Sequence, residues 1–156
     1  MGFNIAGIII KKKIDTKQEL ENLLDTKLEY TKEVDFEEAT SSFREDNTID
    51  VLQTEQGTLV IMELGQIYDL ANIPSEVIQF IVSEVSDTYY LEKYANGTLD
   101  RKYITSQGEI AEDIGVGIVS EDDDIMDVVW EFADNYLQNN FIENMFDLKF
   151  NRYELQ

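Results

Sequence analysis

Apolar residues fall along this chain in short runs, most of them too brief for a long helix. Phe3 to Ile10 is almost unbroken and is followed by Lys11, Lys12 and Lys13. It predicts a buried first strand that leaves the core at the lysines. Thr16 and Glu19 have the spacing of a capping box, in which two side chains satisfy orphan N–H groups at a helix start. Leu20, Leu23 and Leu24 follow on one face, so residues 16–25 predict a short helix. Leu28, Tyr30, Val34 and Phe36 alternate with polar residues as in a half-buried strand, with Lys32 breaking the apolar set. Asp35 with Glu38 offers a competing start for a short helix through Ser42.

Ile49–Leu52 and Thr58–Leu64 predict a hairpin that turns through Thr54–Gly57. After Pro74 and Ser75, Val77, Ile81 and Val85 are spaced by four, and Ile78 and Val82 fill the next row. That spacing predicts a largely buried helix to about Val85. Asn96-Gly97 separates two strand-like runs, Thr88–Ala95 and Thr98–Thr105. Both central residues of a type I′ turn need positive φ, which suits this dipeptide. A two-residue loop sets Tyr94 opposite Leu99, Lys93 opposite Asp100 and Glu92 opposite Arg101. It also sets Leu91 opposite Lys102 and Tyr90 opposite Tyr103. Opposite-charge and aromatic cross-strand pairs each contribute roughly 0.2–1 kcal/mol. Gly108 permits a further turn into a strand over Glu109–Ile114.

Acids from Glu121 lead into a helix over Asp124–Leu137 with Ile125, Val129, Phe132, Ala133 and Tyr136 as its apolar stripe. Acids in the first turn suit the positive end of the helix dipole. Asn139-Asn140 marks the stop, and Phe146–Leu155 predicts a last strand whose alternation breaks at Arg152-Tyr153. The order predicts one α+β domain over residues 1–156. Its antiparallel sheet would carry about three to four helices packed on one face.

Composition narrows the chemistry more than the fold. The chain has 156 residues, 43% of them hydrophobic, enough to build a core without a metal or a disulfide. It has no Cys and no His. Thiolate nucleophiles, Ser-His-Asp and Cys-His arrangements and ordinary zinc sites are therefore excluded. Absence of Cys fits a cytoplasmic protein. The Phe3–Ile10 run is shorter than a membrane span, and its charges follow rather than precede it, unlike a secretory signal.

The 33 acidic residues outnumber the 12 basic ones, for a net charge of −21. A surface of that sign repels phosphate, which argues against a nucleic-acid partner. From Tyr103 to Leu148 there is no Lys or Arg. Within that stretch Asp123, Asp127 and Glu131 are spaced by four and Asp134 follows by three, which makes an acidic stripe on the predicted helix. Like charges at that spacing cost a helix roughly 0.2–0.5 kcal/mol per pair. The stripe reads either as a solvated face or as a docking surface for a basic protein.

Asp122, Asp124 and Asp127 begin like a calcium loop. Asp127 and Ala133 then stand where that loop needs Gly and Glu, and the match fails. Gly115-Val116-Gly117 lacks the rest of a dinucleotide fingerprint and reads as a bend. No carboxylate pair has a catalytic motif around it, so the expectation is a non-enzyme without cofactor or metal. Tyr89, Tyr90, Tyr94 and Tyr103 crowd the Asn-Gly hairpin, where they suit sheet packing or an interface.

Residues 94–115 contain an aromatic strand, the Asn96-Gly97 turn, a strand bearing Arg101, a Gly108-Glu109 turn and an acidic strand ending at Gly115. This segment resembles poorly characterised bacterial families, some of which look like immunity or accessory proteins encoded near secreted toxins. The resemblance implies a bacterial, cytosolic protein that binds another protein. The favoured reading is an immunity-like inhibitor of a basic toxin or nuclease, bound through Asp123, Asp127, Glu131 and Asp134. Two alternatives stay open: a soluble domain whose acidity serves solubility, and a carboxylate enzyme using a divalent metal.

Overall fold

A computed structural model describes residues 3–14, 16–65 and 67–156. The described residues form nine strands: β1 (Asn4–Ile10), β2 (Leu28–Asp35), β3 (Thr48–Gln53), β4 (Thr58–Met62), β5 (Glu76–Ser83), β6 (Thr88–Ala95), β7 (Thr98–Ser106), β8 (Glu109–Ile114) and β9 (Lys149–Leu155). They make one open sheet in the order β2-β9-β3-β4-β1-β5-β6-β7-β8, paired antiparallel throughout. Helices are α1 (Lys17–Leu24), α2 (Phe36–Ala39), α3 (Ile125–Leu137) and α4 (Phe141–Asn144).

The expected α+β class with helices on one face is corrected on two counts. Strand accounts for 42% of the chain and helix for 21%, with only α3 longer than three turns, so the fold is a mainly β sheet. The helices also divide between its faces. On one face α3, α2 and α4 cover Ile5, Ile9, Ile61, Phe80 and Leu91. On the other, Leu20 and Leu24 of α1, with Leu70 and Ile73, cover Ile8, Ile10, Val60 and Val77.

The segment expected as a helix up to Val85 is strand β5. A spacing of four is also an even spacing, so Val77 and Ile81 lie on one face of a strand as readily as on one side of a helix. Ile78, Phe80 and Val82 are buried against the opposite face. A strand buried on both faces reads as a continuous apolar run and loses its alternation. β-Branched residues and a position at the centre of the sheet decide for the strand. Val85 lies outside it and is 83% exposed.

Trp130 of α3 organises the larger cluster. Its ring lies 5.4 Å from Phe36, 5.4 Å from Phe141, 5.9 Å from Phe3 and 6.4 Å from Phe80, centroid to centroid. The Phe80 ring fills the space a side chain at Gly7 would take. A Cβ there would stand 2.5 Å from the ring and 2.6 Å from the Val60 carbonyl. α3 begins one residue later than expected, because Asp124 is its cap and accepts from the Met126 N–H at 2.9 Å. It ends at Gln138, in the left-handed region at φ 52°, before the expected Asn139-Asn140 stop.

The Asn96-Gly97 hairpin forms, with Ala95 opposite Thr98 and Tyr94 opposite Leu99. Beyond that the expected register is corrected. A bulge at Asp100 sets Lys93 opposite Arg101, Glu92 opposite Lys102 and Leu91 opposite Tyr103. One extra residue turns every later side chain to the other face. Without it Lys102 would share the core face with Leu91. With it Tyr103 does, and both are buried. Lys93 still reaches Asp100 at 3.3 Å, while Glu92 pairs with Lys102 at 3.8 Å in place of Arg101.

Candidate functional site

Charge inside the fold is matched. Asp50 of β3 and Arg152 of β9 are direct cross-strand partners on the α2 face. Arg152 Nε donates to Asp50 Oδ1 at 2.7 Å, and its Nη2 to Oδ2 at 2.8 Å. Arg44 Nη2 donates to the same Oδ2 at 2.6 Å. Arg152 Nη1 also reaches Glu38 at 3.2 Å and Glu45 at 3.0 Å, and Lys32 bridges both glutamates. The hydrogen bond to Asp50 holds the Arg152 guanidinium protonated against the cost of its burial. Two irregularities of the sequence pattern have this cause. The break at Arg152-Tyr153 is a charged residue in a core-facing position. The break at Lys32 accompanies a bulge at Thr31 that brings the lysine round to the same glutamates.

On the opposite face Glu92 is buried with Gln79, the Tyr90 hydroxyl and Lys102. At the β1–β5–β6 end Glu76 takes Lys93 at 3.3 Å and Lys11 at 3.5 Å, and accepts from the Tyr136 hydroxyl at 3.3 Å. Among the described residues only Lys27 and Lys149 of the cations stand outside an ion pair.

Several unpaired acids meet where β6, β7 and β8 run out past the N-terminus of α3. A cleft of about 340 Å³ opens there. Its floor is the sheet, through Tyr89, Tyr103, Thr105 and Ile110. One wall is the β5–β6 turn with Glu84 and Asp87, and the other is the turn before α3 with Glu121, Asp123 and Asp124. None of these five carboxylates shares an ion pair with a described residue. Burial and then the Asp87, Glu84 and Asp124 carboxylates push the Tyr89 phenol up. Burial, Glu121 and Asp113 do the same to Tyr103, against the Arg101 guanidinium. The Tyr103 hydroxyl is buried without a hydrogen-bond partner.

Arg101 builds the second wall. It lies 4% exposed, with its guanidinium carbon 5.1 Å from the Tyr103 ring centre. It donates to the carbonyls of Gly117 at 2.8 Å, Ile114 at 2.9 Å and Val119 at 3.0 Å, and to the Asp113 carboxylate. The β8–α3 connection is thereby tied to the sheet. Gly115 completes it at φ 85°, so close to the Asp100 carbonyl that no side chain fits.

The four acids expected to bind a partner divide. Asp123 lies before α3 in the cleft wall, where its Oδ2 accepts from the Ser120 N–H at 2.9 Å. Asp127 and Glu131 are exposed on α3. Asp134 is half-buried and accepts from the Ile142 N–H at 3.4 Å, so it also caps α4. Sequence reasoning missed Glu84, Asp87 and Glu121 as cleft residues and Arg101 as the clamp. The tyrosine-rich hairpin and the cation-free stretch after Tyr103 were the available signals. Glu84 and Asp87 gave none while β5 read as a helix.

Among the described residues no three acidic side chains converge as a metal-ligand set, and no helix is long and apolar enough to cross a membrane. No protein-family model matches the chain, and comparison with curated proteins and with solved structures yields no match.

Proposed function

We propose that the chain is a non-catalytic, cytoplasmic binding module of a bacterium that holds a basic protein partner against its acidic end. One observation carries this reading. Most cations are held in ion pairs, and unpaired acids with no cation among them line the cleft and continue along Asp127 and Glu131 of α3. A field of one sign concentrated on one surface raises the association rate with an oppositely charged partner and disfavours partners of like charge. A nuclease or toxin whose own working surface is basic fits such an end, and binding would cover that surface. No step of this role needs a nucleophile, a metal or a cofactor.

The test is affinity capture from the host lysate with the intact protein and with the Asp127→Lys, Glu131→Lys variant. A basic protein should be retained at low salt by the wild type, released by salt, and lost with the double reversal while the thermal midpoint is kept. Equal retention by the two proteins at low salt would refute the reading.

A further inference from the structure

Among the described residues, the carboxylates drawn into or against the sheet have their own cations. Asp50 has Arg44 and Arg152, Glu92 has Lys102, and Glu76 has Lys11 and Lys93. The cleft at the end of α3 instead gathers five exposed carboxylates, none paired with a cation of a described residue. It carries acids on both walls, an aromatic floor and the one tyrosine hydroxyl buried without a partner.

We propose that this cleft is a pocket for the guanidinium of a partner's arginine, with the Tyr103 hydroxyl as the acceptor at its base; the inference rests on the acidic-module reading above. The cleft's size lies at the small end of the roughly 300–1,000 Å³ typical of ligand pockets, which suits a side chain better than a folded element. The carboxylates stand on opposite walls and do not converge on one point. A compact ammonium or a metal ion satisfies one point, whereas a planar fork of five N–H donors reaches both walls and the floor together. Its flat face is also suited to lie on an aromatic floor. The protein does this once within itself, where Arg101 sits over the Tyr103 ring. Glu121, exposed and without a hydrogen bond of its own, can swing aside to admit the group.

The experiment compares fluorescein-labelled hexa-arginine and hexa-lysine peptides, equal in charge, binding to the full chain by anisotropy at low and moderate salt. The wild type should prefer the arginine peptide by about tenfold, the order expected for a hydrogen bond to a charged group. In Tyr103→Phe, which removes only an unpartnered hydroxyl and should keep the thermal midpoint, the preference should fall to within about twofold. The Asp87→Asn, Glu121→Gln pair of exposed-residue changes should do the same without touching the core. The Asp127→Lys, Glu131→Lys variant should weaken both peptides alike and keep their ratio. Equal binding of the two peptides by the wild type, or a preference that survives Tyr103→Phe, overturns the pocket. If binding still depends on charge in that case, the acidic-module reading stands alone; if neither peptide binds at low salt, both fail.

Discussion

Replacing Asp50 with Asn tests how the sheet tolerates charge in its interior. The carboxylate is fully buried and takes three hydrogen bonds, two from Arg152 and one from Arg44. An amide oxygen in the place of Oδ2 can keep two of them, but its NH2 group then faces Arg152 Nε and no charge is left to offset two guanidinium groups. Arg152 still has the carboxylates of Glu38 and Glu45, but Arg44 is left with the Thr48 carbonyl and no carboxylate. Losing one charge-assisted bond is worth about 1.5–3 kcal/mol, before the uncompensated guanidinium charge is counted. Removing one partner of a buried ion pair typically costs about 3–5 kcal/mol. We take about 3–5 kcal/mol, a large part of the roughly 5–15 kcal/mol that stabilises a domain. At about 2–4 °C per kcal/mol for this chain length, the thermal midpoint should fall by roughly 6–20 °C.

Urea unfolding followed by circular dichroism gives the energy, and a thermal melt gives the shift. The loss should be nearly the same at 0.1 and 0.5 M NaCl, since buried pairs are poorly screened. Asp50→Leu combined with Arg44→Met removes the guanidinium that loses its only carboxylate and leaves Arg152 its glutamates through Nη1, and should cost less than Asp50→Asn. A loss under about 1 kcal/mol for Asp50→Asn, or a double variant worse than it, would refute the reasoning.

Two further outcomes follow from the same geometry. Burial opposes ionisation of Glu76, but Lys93 and Lys11 outweigh it and hold its carboxyl below the ordinary value of 4.5. Its contribution is therefore complete above about pH 4.5 and is lost as pH falls through the lowered value. Acid also relieves repulsion elsewhere on so acidic a chain. The readout is therefore the difference in thermal midpoint between wild type and Glu76→Gln, which should narrow from pH 6 to pH 3; a constant gap would refute it. Gly115→Ala combines a strained φ with a clash on the Asp100 carbonyl. It should cost about 1–3 kcal/mol and speed amide exchange over residues 115–119, and unchanged exchange would show that the β8–α3 connection does not depend on that approach.

Local chemistry was enough for some elements. Thr16 caps α1 and Asp124 caps α3 with side-chain oxygens a few atoms from the N–H groups they accept from. Asn96-Gly97 makes its turn from the φ preferences of two residues. The stripe of α3 and the alternating runs of β2 and β9 were likewise visible, because a side chain's neighbours on its own element set those periods. What the sequence could not determine depended on partners far along the chain. β5 is a strand because layers from distant segments cover both its faces, which erases the alternation that marks one. The Asp100 bulge exists because Tyr103, not Lys102, has to face the same core as Leu91. Arg152 and Lys32 looked like breaks in pattern until Asp50, Glu38 and Glu45 stood beside them. Sequence also showed that one stretch lacks cations, but not that Glu84 and Asp87 come round to face Glu121 and Asp123 across Tyr103. Charge is additive along a chain and can be counted there; which charges meet is decided only by the fold.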